Sequence, residues 1–147
     1  MFELGRKSLI LINERLDLDM KRRFVYIILT IVCFILCVLI VKLFSRDLFI
    51  RGLIGDFLIV IMIYCLIKSI IDYKPLTVAM VTLLSAFFTE LLQYMEIIKY
   101  VGLEQSEIAK LIIGSTFDPS DMVAYTLGVV VVYFIDRIIV TRAVKVY

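Results

Sequence analysis

Glu90, Gln93 and Tyr94 stand at i, i+3 and i+4, a spacing that places an acid, an amide and a phenol on one helix face. They lie inside the otherwise apolar run Leu76–Ile98. Asp121, Tyr125 and Gly128 follow at i, i+4 and i+7, one stripe of a later helix. Such groups can bond hydroxyls and amides, hold a hard cation through oxygen, or move a proton. Arg46, Arg51 and Asp56 add two cations and an acid. The guanidinium groups are natural counter-charges for Glu90 and Asp56, and they also suit a phosphate.

The chain has no histidine and no tryptophan. That excludes Ser-His triads, His-ligated metals and His proton relays. Cys33, Cys37 and Cys65 sit in apolar runs, where they act as small hydrophobes, and their spacing makes no zinc signature or disulfide framework. There is no P-loop, G-x-S-x-G or H-E-x-x-H motif, and no cofactor is expected. The net charge of +2 comes without a basic arm, so nucleic acid is not an expected partner.

The elements that must position these residues are set by hydrophobicity. Of the 147 residues, 63% are hydrophobic and the mean hydropathy is +1.04, too apolar for the aqueous core of so short a chain. The expectation is an all-α membrane protein, a four-transmembrane-helix bundle solvated by lipid. The spans fall at about 24–43, 53–71, 76–98 and 119–140, each about the length that crosses a bilayer. Strands are not expected, because four runs cannot close a barrel. The first run has no small-residue cleavage site and reads as a retained span.

Residues 1–23 read as an amphipathic, interfacial N-terminal segment, and 141–147 as a cytoplasmic tail. Gln105–Ile113 is periodic, with Ser106 as its N-cap and Gly114 as its stop. It is too short to span, and therefore an interfacial or re-entrant helix between the third and fourth spans. With both termini cytoplasmic, eleven of the sixteen Lys and Arg residues lie on the cytoplasmic side, led by Lys21-Arg22-Arg23. The location expected is the inner or plasma membrane.

Depth follows from position. Glu90 is fifteen residues beyond Pro75, about 22 Å along a helix, which puts it at the same membrane side as Arg46, Arg51, Asp56, Gln93, Asp118 and Asp121. In the chosen orientation that side is extracytoplasmic. Plainer roles compete. Asp118-Pro119-Ser120-Asp121 has the form of a helix start, and Asp56 complements a helix dipole. Asp136 and Arg137 read as an inner-interface pair, Lys42 and Lys68 as snorkelling cations, and Tyr26, Tyr64, Tyr73, Tyr94, Tyr100 and Tyr133 as packing or belt residues. Glu90 fits neither a cap nor an interface.

The segments FIRGLIGD (Phe49–Asp56), YCLIKS (Tyr64–Ser69), TELLQY (Thr89–Tyr94) and GLEQSEIAKLIIGSTFDPSDMVAYTLG (Gly102–Gly128) together resemble the bacterial domain-of-unknown-function 2809 family, over roughly Phe24 to Asp136. More distantly the chain is similar to VanZ-like membrane proteins, which share an E-x-x-Q helix followed by a D-x-x-x-Y helix start. The resemblance implies a polar pattern on Arg51, Asp56, Glu90, Gln93, Gly114, Phe117, Asp118, Asp121, Tyr125 and Gly128. It assigns no activity, and the VanZ-like link points to the cell envelope.

Three functions follow as expectations. The favoured one is a non-enzymatic envelope protein that binds a lipid-linked or anionic ligand through Arg46, Arg51, Asp56, Glu90, Gln93, Asp118, Asp121 and Tyr125. The second is a membrane-embedded enzyme using these carboxylates, with or without Mg²⁺ or Ca²⁺, on a lipid substrate. The third is a structural subunit whose polar cluster fixes helix packing. Membrane lipids, a lipid-linked envelope precursor and a second copy of the chain, brought close by Gly128, are the partners considered.

Overall fold

The computed structural model describes residues 2–43, 48–102, 105–106 and 117–145, with side chains described over 10–43, 52–97, 100–102, 105–106 and 117–138. The chain is all-helical there, with no strand among the described residues. The elements are α1 (Phe2–Leu43), α2 (Leu48–Ile70), α3 (Pro75–Tyr94), the single turn α4 (Ile97–Tyr100) and α5 (Pro119–Lys145).

Helix starts follow local chemistry. Pro75 opens α3, where its missing N–H costs nothing, and the N–H groups of Thr77 and Val78 donate to the Lys74 carbonyl at 3.0 and 3.2 Å. Pro75 also keeps Lys74 extended, which limits the connection from α2 to Ile71–Lys74. Asp118 caps α5, its Oδ1 accepting from the Ser120 N–H at 2.9 Å. That hydrogen bond holds the Asp118 carboxyl below the usual aspartate range.

Two boundaries differ from the hydrophobic runs. α1 continues unbroken from Phe2 into the first apolar run, so residues 2–23 extend that helix instead of forming a separate one. Its 42 residues give about 63 Å, twice a hydrocarbon core. α3 ends at Tyr94, four residues before the apolar run does, because Glu96 takes a positive φ of 51° and its N–H turns back to the Gln93 carbonyl. The expected helix over Gln105–Ile113 lies outside the described residues.

α2 is the hub, packing against α1, α3 and α5, while α3 also packs on α5. α2 turns Asp56, Val60, Tyr64 and Lys68 along one stripe, each four residues from the next. Val60, Tyr64 and Cys65 meet Val78, Ala79 and Ala86 of α3 and Val129 and Val132 of α5 in one buried core, with Tyr26 of α1 at its edge. Gly128 lets α5 approach α2 closely, since a Cβ there would stand 2.8 Å from the Phe57 carbonyl oxygen. The outward faces are apolar too: Ile31, Phe34, Leu84, Phe88 and Phe134 are all exposed. Among the described residues, three helices, over Ile10–Leu43, Gly52–Ile70 and Pro75–Tyr94, are long and apolar enough to cross a membrane. These apolar helices suggest membrane insertion.

Candidate functional site

Polar side chains gather at the two ends of the core, separated by about 18 Å of α2 between Asp56 and Lys68. At the first end, Glu90 of α3 is 1% exposed although it carries a carboxyl group. The Tyr125 hydroxyl of α5 donates to Glu90 Oε1 at 2.9 Å and stands 3.4 Å from Asp56 Oδ1 of α2. Asp121 of α5 lies close enough to Asp56 for the two carboxyls to interact. Three helices thus contribute three carboxyls and one phenol to one point.

The arrangement is rich in acceptors. Glu90 Oε2 is buried and has no hydrogen-bond partner among the described residues. The Asp118 backbone lies near that carboxyl without making a hydrogen bond in good geometry. A buried oxygen of this kind costs free energy until a donor reaches it. Replacing Tyr125 with phenylalanine removes the donor to Oε1 as well, and should cost about 1–3 kcal/mol of stability. The check is the unfolding midpoint in detergent, and an unchanged midpoint means that Tyr125 does not hold Glu90.

Of the residues expected at this site, Asp56, Glu90, Asp121 and Tyr125 come together. Gln93 lies one turn beyond Glu90 on the same helix face and is half-buried. Asp118 is exposed and serves as the cap of α5. Arg46 and the Arg51 side chain lie outside what is described. Among the described residues, no group of three or more acidic or cysteine side chains is arranged to hold a metal ion.

The other end holds a network that sequence reasoning missed. Asp136 of α5 is fully buried and accepts from two hydroxyls, Tyr26 of α1 on Oδ1 and Tyr64 of α2 on Oδ2. The Lys68 ammonium lies 3.5 Å from Asp136 Oδ2 and 3.7 Å from Asp72 Oδ1, and donates to the Tyr73 carbonyl at 3.0 Å. Arg22 extends the network outward, its Nη2 2.9 Å from Asp72 Oδ1. Lys68 therefore does not snorkel: it is 2% exposed and held inside by an anion. Tyr26 and Tyr64 are hydrogen-bond donors, not a belt. Asp136 turns inward to α1 and α2, while Arg137 is exposed and lies over the Tyr133 ring, 5.6 Å from its centroid. The sequence did hold a signal, since Tyr64 and Lys68 are i, i+4 at the same depth as Tyr26 and Asp136.

The family model described as "Protein of unknown function (DUF2809)" matches residues 45–129, more than half of the chain. The chain belongs to the DUF2809 family. No curated protein and no solved structure matches it. The DUF2809 stretch is shorter than the resemblance read over Phe24–Asp136. It contains Asp56, Glu90, Asp121 and Tyr125, the whole described part of the first cluster. Of the second cluster it takes in Tyr64, Lys68 and Asp72, leaving Arg22, Tyr26 and Asp136 beyond its ends.

Proposed function

We propose that this DUF2809 chain is a multi-pass membrane protein whose Glu90 cluster binds a membrane-borne ligand bearing both a phosphate and hydroxyl or amide groups. α5 is its fourth span, its 27 residues giving about 40 Å of helix. Both termini are cytoplasmic, and the cluster faces the opposite side of the plasma membrane, where a lipid-linked envelope precursor is one ligand with this chemistry. The observation that carries the reading is Glu90 Oε2, a buried carboxyl oxygen with no hydrogen-bond partner among the described residues, while the Tyr125 hydroxyl donates to the other oxygen, Oε1. A hydroxyl or amide hydrogen of the ligand supplies the missing donor. Arg46 and Arg51 meet its phosphate, which three carboxyls alone would repel.

Glu90→Gln keeps the shape and removes the charge. Native mass spectrometry of the protein purified from its own membranes should show a retained lipid on the parent chain. On Glu90→Gln retention should fall about tenfold or more, the worth of one charged hydrogen bond. The unfolding midpoint should hardly move. A lower midpoint with no lipid on either protein supports the structural reading instead, in which Tyr125, Glu90 and Asp56 simply lace three helices together.

A further inference from the structure

At the inner end, where α1 meets the α2–α3 connection, a notch of about 10 Å³ is lined by Asp19, Arg22, Arg23, Tyr26, Lys68 and Asp72. That is room for one oxygen the size of a water. Three cations face it against two carboxylates. Arg22 directs Nη2 to Asp72 at 2.9 Å and Nη1 to Asp19 at 3.5 Å, yet its Nε is buried without a hydrogen-bond partner among the described residues. The Lys68 ammonium has three protons and makes one hydrogen bond, to Tyr73. Arg23 is exposed at the rim and enters no ion pair among the described residues.

The level of the notch narrows its ligand. Arg22 and Arg23 directly precede the apolar run that begins at Phe24, Lys68 is two residues from the end of α2, and Asp72 is in the connection. Around the notch the long apolar runs of α1 and α2 give way to charged residues, at the depth of phospholipid headgroups. We propose that the notch binds the phosphate of an anionic phospholipid headgroup. One phosphate oxygen enters toward Arg22 Nε and Lys68, and Arg23 covers the oxygens left outside. A notch that admits a single oxygen gives a free phosphate ion few contacts, whereas a lipid is already concentrated at this level. Asp19 competes with the ligand for Arg22.

The site is separate from the Glu90 cluster, and its test is too. The full chain is placed in phosphatidylcholine nanodiscs with and without phosphatidylglycerol, and the phosphatidylglycerol retained on release is measured by native mass spectrometry. Arg23→Ala should lower the preference for phosphatidylglycerol about fivefold, the worth of one cation near the headgroups. Asp19→Asn should raise it. Lys21→Ala makes the same charge change beside the notch, at a residue paired with Asp17 at 2.8 Å, and should leave it unchanged. All three positions are exposed, so folding is not at stake. A loss in Lys21→Ala equal to that in Arg23→Ala overturns the proposal in favour of diffuse surface charge. So does a preference that neither Arg23→Ala nor Asp19→Asn moves. Inorganic phosphate that displaces the lipid at equal concentration assigns the notch to a soluble anion instead. Glu90→Gln should leave the preference intact, and a loss there moves the lipid to the other cluster.

Discussion

Replacing Asp136 with alanine should cost the fold about 3–5 kcal/mol, the penalty for removing one partner of a buried ion pair. Asp136 is fully buried and gathers Tyr26, Tyr64 and Lys68 around two oxygens. Without it the Lys68 ammonium keeps its hydrogen bond to Tyr73 and its contact with Asp72, but two phenolic hydroxyls lose their acceptor. Thermal unfolding in detergent should show a large drop in midpoint. A second variant identifies the cause. Lys68→Met combined with Asp136→Leu removes both charges and keeps volume, so it should recover much of what Asp136→Ala loses. If the double variant is as weak as Asp136→Ala alone, the two charges are not coupled and the network is held by its tyrosines.

Gly128→Val should be the next most damaging change, although it touches no polar group. Even the first carbon of the new side chain meets the Phe57 carbonyl oxygen at 2.8 Å, and that backbone atom cannot turn aside as a side chain would. α5 must then back away from α2, at about 1–3 kcal/mol. The hydrogen-bonding distance from Tyr125 to Asp56 lengthens with it, because both flank the contact on the same two helices. The expected readout is a lower unfolding midpoint, with Gly128→Ala intermediate between the parent and Gly128→Val. Gly55→Ala is the control: nothing lies within 4 Å of the added carbon, and alanine favours a helix over glycine by about 1 kcal/mol. Equal losses at Gly55 and Gly128 would contradict close packing as the cause.

These two sites show what could be read from the chain before folding. Hydrophobic runs locate helices because lipid-length stretches leave little alternative, and α2 and α3 lie close to where those runs fall. Rise per residue is fixed, so counting along the helices brings Asp56, Glu90 and Asp121 to the level of Tyr125, where Tyr125 touches Asp56 and Glu90. Rotation about each axis was harder to read. Lys68 reads as a snorkelling cation and Asp136 as the partner of Arg137, because a charge near a helix end has two stable choices and the sequence of one helix does not say which. The choice depends on Tyr26, more than a hundred residues from Asp136. The end of α3 was misjudged because the backbone turn at Glu96 interrupts a run that stays apolar to Ile98.

The burial of Asp136 also bears on how the protein is made. Every group that satisfies this carboxyl precedes it in the chain, on α1 and α2. A buried charge is costly until its partner is in place, and here the partners lie on different helices. Lys68 on α2 is thus made before the buried carboxyl that faces it, with only Asp72 beside it until then. Asp136 on α5 completes the pair. α5 thus closes the buried network, and a chain that stops before Asp136 leaves the Tyr26 and Tyr64 hydroxyls without their acceptor.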